Sequence, residues 1–370
     1  MPLSLLPAAL TFRPELNGLR AAAVGVVVLQ HWVEPSFPFG EVGRSLFFVL
    51  SGYLVSGIIW KYGAYVGASG PWKQRLRTFF TRRVLRIIPP YYLALVGALL
   101  LPLEVVQQHL LWFVLPGANL LFYRMGGWGD GCGHYWTQAV DEQFYLLWPL
   151  VLGLLGKRVW PLLLLAAGAW VFRLCWLLHF NSGMTHLLLP ASLDLFALGT
   201  LLRLGQGQAW LLRWQHGGLV LLAWGVWALG VHLFDSGPGV LAWRASFGSF
   251  LAVAAFLTIN WLLASPVAAR RLGLLHSAMQ WVGRRSYGFY LYHLPLLVFW
   301  QRLVYHFVPD AAGRAALMAP LPVLLALGPV LVLLSASSWR WVEAPIDRFK
   351  NKFRYADAAP QSQPSQQLLG

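Results

Sequence analysis

The chain has 370 residues, of which 58% are hydrophobic and only 11% are charged, and it contains 20 tryptophans. A water-soluble globule of this size could not carry so much apolar material, so the composition excludes that class and indicates a polytopic membrane protein. The formal net charge of +15 would suggest a nucleic-acid partner for a soluble domain. In a membrane chain, that charge is first tested against the preference of Lys and Arg for cytoplasmic loops, and we expect no nucleic-acid partner.

Ten apolar stretches approach the length that crosses a bilayer as a helix, about 17 to 25 residues. They cover residues 16–33, 42–61, 87–103, 136–156, 159–178, 191–204, 217–234, 245–263, 287–304 and 316–338. A further stretch, 109–123, is interrupted by Pro116 and Gly117, which favours an interfacial or re-entrant hairpin. We therefore predict an all-α transmembrane bundle of about ten helices.

The basic residues set the orientation of this bundle. If the amino terminus is cytoplasmic, 21 of the 28 Lys and Arg residues fall in cytoplasmic segments, which predicts that both termini lie inside. We expect one transmembrane domain over residues 1–354 and a polar, disordered cytoplasmic tail over 355–370. The first ten residues lack a basic n-region and a clean cleavage site, so we expect no removable signal peptide.

The two cysteines, Cys132 and Cys175, are too few for a disulfide scaffold. Both fall near the predicted outer face, so a single bridge between them stays open. The ten histidines show no ligand spacing with carboxylates or cysteines, and we predict no metal site.

The first predicted helix carries two ionisable residues, Arg20 and His31. They are eleven positions apart, which is close to three turns and about 16 Å of rise, so they share one face. Charged groups inside a membrane are costly and usually line a functional cavity. For His31 alone, an interfacial position or a hydrogen bond between packed helices is the more common explanation.

Three arginines, Arg82, Arg83 and Arg86, precede the third predicted span. An ordinary cytoplasmic cluster that binds lipid phosphates explains them. The alternative is a site for a polyanionic cytosolic cofactor, because guanidinium groups bind phosphates in a forked geometry. Arg83 and Arg86 are three positions apart and face the same way on a helix.

The fourth predicted span brings two carboxylates, Asp141 and Glu142, into the membrane together. One alternative is that Thr137 caps the start of this helix and that the carboxylates near it are exposed. This alternative explains Asp141 better than Glu142. Glu142 lies deeper, beside Tyr145, and is the better candidate to orient or charge-pair with a histidine.

Two further ionisable residues, Asp194 and His293, fall within or at the ends of spans. Each residue alone could form a hydrogen bond between packed helices. Together with the groups above, they indicate a polar interior.

Seven segments resemble, in order and spacing, the membrane acyltransferase-3 family. They read LNGLRAAAVGVVVLQH, SLFFVLSGYL, RRVLRIIPPYY, HYWTQAVDEQFYLLWP, LDLFALG, SYGFYLYHLP and VEAPIDRF, and they extend from Pro14 to Phe349. The resemblance implies a bacterial inner-membrane enzyme of about ten helices. It implies transfer of an acyl group, most often acetyl from acetyl-CoA, to a hydroxyl of an extracytoplasmic sugar, glycan or glycolipid.

The family's functional residues carry over to five positions. The resemblance implies that Arg20 and His31 are essential for transfer, that Arg83 and Arg86 serve the acyl donor on the cytoplasmic side, and that Glu142 matches the family's second Glu.

The sequence also departs from the family pattern. Arg44 and Ser45 stand where an acidic residue often precedes the Phe-Phe pair, which makes the outer vestibule more basic. The fourth-span motif reads Trp-Thr-Gln, its first acidic position is Asp141, and the late Glu-basic-Pro reads Glu343-Ala344-Pro345.

These residues suggest a reaction path. Arg82, Arg83 and Arg86 are expected to hold the phosphates of acyl-CoA, whose pantetheine arm passes Arg20 and brings the thioester to His31. His31 acts there as general base toward the acceptor hydroxyl, or as a transient acyl carrier.

Two other groups complete this hypothesis. Glu142 is expected to hold the His31 tautomer, and Tyr145 or a backbone N–H to stabilise the oxyanion. A transporter that uses the buried His, Glu and Arg as a proton or anion path is the alternative. A purely structural membrane scaffold would leave the polar interior unexplained.

Overall fold

The computed structural model describes residues 13–180, 183–234 and 239–355, and this part of the chain contains helices and no strand. Within these described residues, the ten longest helices form the bundle. They are α1 (Pro14–Trp32), α2 (Phe39–Tyr62), α3 (Trp72–Leu100), α4 (Tyr135–Leu155), α5 (Val159–Phe180), α6 (Leu193–Gly205), α7 (Gly217–Leu233), α8 (Val240–Ala264), α9 (Ser286–Phe307) and α10 (Pro320–Ser338). The predicted all-α fold class is confirmed.

Shorter helices connect the long ones. They are Glu104–Gln108, Leu110–Val114, Ala118–Met125, Ala209–Leu212, Pro266–Arg271, Ser277–Arg284, Ala311–Leu317 and Ala344–Lys350, with 3₁₀ turns at Thr185–Leu187 and Leu189–Ser192 and a π-helical turn at Trp339–Glu343. The sequence predicted an interruption at Pro116, and the structure shows one there: the helix Leu110–Val114 ends before Pro116, and Ala118–Met125 begins after it.

Each of the ten predicted spans coincides with one long helix. In the part of the chain that the structure describes, five runs are long and apolar enough to cross a membrane by length and composition, namely α2, α3, α5, α8 and the run Pro320–Lys350 that includes α10. The outward surface is apolar, with Leu100, Leu154 and Leu221 at least 76% exposed. Such a surface suits lipid and not water, so this is an integral membrane protein. The number of spans and the cytoplasmic position of the termini stay predictions.

Helix boundaries follow local chemistry. Pro14 occupies the first turn of α1, where its missing N–H costs nothing. Gly63 ends α2 in the left-handed conformation, with φ of 59°, and its N–H bonds the carbonyl of Ile59. Asp310 caps the helix Ala311–Leu317 by accepting a hydrogen bond from the N–H of Gly313.

Helix α2 lies at the centre of the bundle, in contact with α1, α4, α6 and α8. Two glycines allow α2 and α6 to touch: a Cβ added to Gly52 would stand 2.3 Å from the carbonyl oxygen of Phe196, and one added to Gly199 would stand 2.1 Å from that of Val49. Gly52 and Gly199 are therefore packing residues. Ser56 of α2 is also a packing residue, since its hydroxyl lies 2.7 Å from that of Thr200.

The open question of a disulfide is answered by the structure, in which both cysteines are free. Cys132 is buried in the loop before α4, whereas Cys175 is exposed on α5, so the two thiols occupy different environments. Burial raises the pKa of the Cys132 thiol to about 12.

The predicted tail begins with an ordered residue. The ring of Tyr355 stacks on that of Tyr62, with centroids 3.9 Å apart, so this residue packs against the end of α2. The rest of that tail, 356–370, lies outside the described residues, and so does the stretch for which the sequence predicts no signal peptide.

Candidate active site

A cavity of about 910 Å³ lies inside the bundle, between α1, α2, α3, α4 and α9. Six of the candidates from the sequence line it: Arg20, His31, Arg83, Arg86, Asp141 and Tyr145. Four candidates do not belong to its wall: Arg82, Glu142, Asp194 and His293.

One wall of the cavity is the face of α1 that carries Arg20 and His31. The two residues mark positions about 16 Å apart along the helix, as the eleven-residue spacing requires. The Arg20 guanidinium donates a hydrogen bond of 3.1 Å to the side chain of Asn17. One polar cavity thus follows most of the length of α1.

The Arg20 end of the cavity is strongly basic. Arg83 and Arg86 of α3 both line it, and their charges repel that of Arg20. The Arg83 guanidinium lies 4.9 Å from the ring centroid of Tyr145, whose hydroxyl is 3.4 Å from that of Ser51. We call this group of Arg20, Arg83 and Arg86 the arginine end, and such a cluster offers donors to a polyanion.

Arg82 has a different role from the one the sequence predicted. Its guanidinium donates hydrogen bonds to the carbonyl oxygens of Lys350 and Phe353, at 3.0 and 2.8 Å, and lies 5.9 Å from the ring of Tyr355. Arg82 shares a helix face with Arg86 but does not line the cavity, because its guanidinium is bound to these carbonyls. Arg82 thus binds the carboxy-terminal segment and is not one of the arginines that line the cavity.

On α4, the carboxylate that lines the cavity is Asp141 and not Glu142. Thr137, Gln138, Asp141 and Tyr145 recur at spacings of three and four and form the cavity-facing stripe. Glu142 lies beside this stripe and accepts a hydrogen bond of 2.9 Å from the Gln138 amide. The prediction that Glu142 orients His31 therefore has no support in the geometry.

The capping alternative for this region is also corrected. Thr137 does not cap α4, because its hydroxyl bonds the carbonyl of His134 and the phenol of Tyr290. The capping alternative also assumed exposed carboxylates, whereas Asp141 is partly buried.

The opposite end of the cavity contains a row of three imidazoles. The ring centroid of His31 lies 5.2 Å from that of His293, which in turn lies 4.9 Å from that of His134. His293 is fully buried on α9, and its Nδ1 lies 2.7 Å from the carbonyl oxygen of Tyr290. His293 therefore packs next to His31, although His293 itself does not line the cavity.

These imidazoles do not form a metal site. Within residues 13–180, 183–234 and 239–355, no group of three or more His, Cys, Asp or Glu side chains has an arrangement that could hold a metal ion.

Asp194 belongs to a buried ion pair away from the cavity. Its carboxylate accepts hydrogen bonds from the Arg173 guanidinium at 2.7 Å and from the Ser249 hydroxyl at 2.9 Å. Arg173 also donates to the carbonyls of Ala191 and Ala245, so the charge of each partner is compensated where water is absent. Asp194 therefore joins α5, α6 and α8 and has no contact with the candidate site.

The cavity wall beyond His31 contains residues that the sequence did not assign to a site. Arg44 is paired with Glu41, one turn earlier on α2, and its guanidinium lies 5.4 Å from the ring of Trp136. Trp128 joins the same wall, with its ring 5.8 Å from that of His186. Burial lowers the pKa of His186, so its ring is neutral near pH 7. The basic departure at Arg44 was the signal in the sequence that pointed here.

The last wall is formed by the π-helical turn that follows α10 and by the short helix after it. Trp339 and Glu343 of the turn and Asp347 of the helix Ala344–Lys350 line the cavity, and the Glu343 carboxylate accepts a hydrogen bond of 3.2 Å from Ser338. Single π turns inside α-helices are frequent at functional sites.

A family model described as an acyltransferase domain matches residues 13–340 of the chain. O-acetyltransferase OatA of Staphylococcus aureus is 24% identical, over 90% of this chain and 57% of its own length. Peptidoglycan O-acetyltransferase OatA of Listeria monocytogenes is 25% identical, over 92% of this chain and 57% of its own length. The chain thus spans a little more than half the length of these relatives. No solved structure matches the chain.

Proposed function

The chain belongs to the acyltransferase-3 family, and we propose that it is a membrane O-acyltransferase that moves an acyl group from cytosolic acyl-CoA to a hydroxyl of an extracytoplasmic glycan. Acetyl is the acyl group that the relatives' names favour. The observation that carries this proposal is one cavity whose wall includes both the arginine end and His31. We place the protein in a bacterial inner membrane, with the arginine end facing the cytoplasm.

The arginine end would bind the phosphates of acyl-CoA. Arg83 and Arg86 lie one turn apart on α3 and line the cavity together, and guanidinium groups bind phosphate oxygens with two parallel hydrogen bonds. Arg20 adds a third positive charge at the point where the pantetheine arm would enter. The distance along α1 from Arg20 to His31, about 16 Å, is comparable with the length of an extended pantetheine arm.

His31 would act as general base at the other end of this path. Its imidazole takes the proton of the acceptor hydroxyl while that oxygen attacks the thioester carbonyl carbon. When the C–S bond breaks, the imidazolium returns the proton to the CoA thiolate, so that an ester and free CoA are formed and no further reactant is consumed. In this scheme the acyl group moves in one transfer, and formation of an acyl-histidine at His31 is the alternative within the same site.

Tyr145 lies at the arginine end, with its ring 4.9 Å from the Arg83 guanidinium, and so away from the carbonyl that reacts at His31. A backbone N–H near His31 is therefore the donor that we propose for the oxyanion. Asp141, one turn before Tyr145, replaces Glu142 as the carboxylate available to the cavity.

The chemical class of the acceptor is inferred from the names of the relatives. Both are named as O-acetyltransferases, and that of Listeria monocytogenes is named for peptidoglycan. We therefore propose a glycan hydroxyl as the acceptor of this chain.

The test is acyl transfer by the purified protein in lipid nanodiscs with radiolabelled acetyl-CoA and a crude pool of cell-wall glycan. We expect release of CoA and label in the glycan for the wild type, and loss of both for His31→Ala. His179→Ala is the matched control, because His179 is an exposed histidine on α5 that does not line the cavity.

A folded wild type that releases no CoA from acetyl-, succinyl- or longer acyl-CoA would overturn the proposal. Substrate flux into liposomes without consumption of acyl donor would then establish the transporter alternative.

A further inference from the structure

The wall beyond His31 exposes one large aromatic side chain to the cavity. Trp128 is 42% exposed, whereas Trp136 beside it is 5% exposed, although both line the cavity. The Trp128 ring packs at a tilt against Trp136, His186 and Phe122, with centroids 5.8 to 6.4 Å apart. These neighbours hold the indole and leave part of its surface without a partner, as in pockets that bind ligands with aromatic platforms.

The loop that carries Trp128 is fixed on both sides. Gly129 and Gly131 both have φ of 66°, and a Cβ on either would stand 2.7 Å or less from a side chain of a neighbouring helix, Val105 or Val298. Only glycine fits such positions. Asp130 between them accepts hydrogen bonds from two backbone N–H groups of the helix Glu104–Gln108. Trp128 is therefore preorganised, which lowers the entropic cost of binding a ligand on its face.

A hydrogen-bond donor lies in the same wall. The Arg44 guanidinium is 6% exposed, is held by Glu41 and stacks on Trp136. Its Nη1 has no hydrogen-bond partner among the residues that the structure describes. A buried donor without an acceptor is costly, so a ligand oxygen at this point would be bound favourably.

The charges of this wall favour a neutral ligand. Glu41 balances the charge of Arg44, and His186 is neutral near pH 7 for the reason given above. The donor on Arg44 therefore binds a hydroxyl, ring or carbonyl oxygen without an uncompensated positive charge that would select a carboxylate.

We propose that this wall is a saccharide subsite, in which a neutral pyranose ring stacks on the indole of Trp128 and one of its oxygens accepts a hydrogen bond from Arg44. A pyranose offers both requirements, since one face carries axial C–H groups and the edge carries oxygens. This subsite rests on the proposed function, because it holds the acceptor in the cavity that His31 lines.

The test is binding of cellotriose, measured by saturation-transfer NMR on the protein in nanodiscs without any acyl donor. We expect saturation of the axial ring protons in the wild type. Trp128→Ala should weaken binding by about tenfold or more, and Trp128→Tyr should retain most of it. Arg44→Lys, which keeps the charge that balances Glu41, should also weaken binding by about tenfold.

The matched control is Trp160→Ala, because Trp160 is 59% exposed on α5 and does not line the cavity. Two further probes define the ligand class: glucitol has the hydroxyls without the ring, and cellotriuronic acid adds carboxylates. The inference is overturned if the wild type does not bind cellotriose, if Trp128→Ala binds within twofold of wild type, or if either probe binds as tightly as cellotriose.

This binding assay separates the two proposals. Binding that depends on Trp128 in a protein that never releases CoA would overturn the acyltransferase proposal and leave the subsite standing. Transfer with an unchanged acceptor KM in Trp128→Ala would overturn the subsite alone.

Discussion

The imidazole ring of His31 on α1 lies 5.2 Å from that of His293 on α9, and His293 is fully buried. We expect His293 to act as a positioning residue, because its Nδ1 is bound to the backbone of its own helix and its ring supports the base. His293→Phe keeps a ring and loses this anchor. It should lower kcat by about ten- to a hundredfold with little change in acyl-CoA KM.

His306→Phe is the control on the same helix, because His306 is exposed and does not line the cavity. Steady-state kinetics with each variant decide the matter. A kcat for His293→Phe that equals that of His306→Phe would show that the ring contact does not serve catalysis.

The three arginines of α3 have different contacts, and this difference gives a second prediction. Arg83 and Arg86 line the cavity, whereas Arg82 binds the carbonyls of the carboxy-terminal segment. The double variant Arg83→Gln/Arg86→Gln should raise acyl-CoA KM by about a hundredfold, because each charge-assisted hydrogen bond to a phosphate contributes about 1.5–3 kcal/mol.

Arg82→Gln serves as the comparison for this pair. It should leave the KM of the donor near that of wild type and lower the melting temperature, since two carbonyls lose their donor. A rise in KM for Arg82→Gln that matches the double variant would return Arg82 to the donor site.

Close packing of α2 on α6 gives a third prediction, on stability. Gly199→Ala places a Cβ 2.1 Å from the carbonyl oxygen of Val49, so the two helices must separate. We expect a loss of about 1–3 kcal/mol, the usual cost of overpacking. Gly168→Ala on α5 is the matched control: its Cβ meets nothing within 4 Å, and alanine favours a helix. Equal melting temperatures for the two variants would contradict the observed contact.

The buried thiol of Cys132 should be unreactive in the folded protein. The thiolate is the reactive species, and burial raises the pKa of Cys132 to about 12, so at pH 8 only about one molecule in ten thousand carries it. Iodoacetamide at pH 8 should therefore spare Cys132 in the folded protein and alkylate it after unfolding in denaturant, as read by peptide mass spectrometry. Equal labelling of Cys132 in the folded and the unfolded protein at pH 8 would show that it is accessible.

The sequence predicted the helices and the faces that are set within one helix. Hydropathy located all ten long helices, and periodicity correctly placed Arg20 with His31, and Arg83 with Arg86, on common faces of the cavity. Both inferences need only the geometry of a single helix.

Choices between neighbouring residues and between distant partners could not be made in this way. Asp141 and Glu142 are both acidic, and only the packing of α4 decides which one faces the cavity. Arg82 bonds a carbonyl 268 positions away, and Asp194 pairs with Arg173 on another helix. No local pattern encodes such contacts, because they depend on how whole helices are docked.

The π-helical turn after α10 has a consequence for the history of the gene. The N–H of Ala344 bonds the carbonyl of Trp339, five residues earlier, so this turn contains one residue more than an α-helical turn. Loss of one codon within this turn would leave a regular α-helical turn and would remove the bulge that contains Glu343. The placement of Glu343 in the cavity wall therefore depends on the number of codons at this point as well as on their identity. Such a change is one that point-substitution scans do not sample.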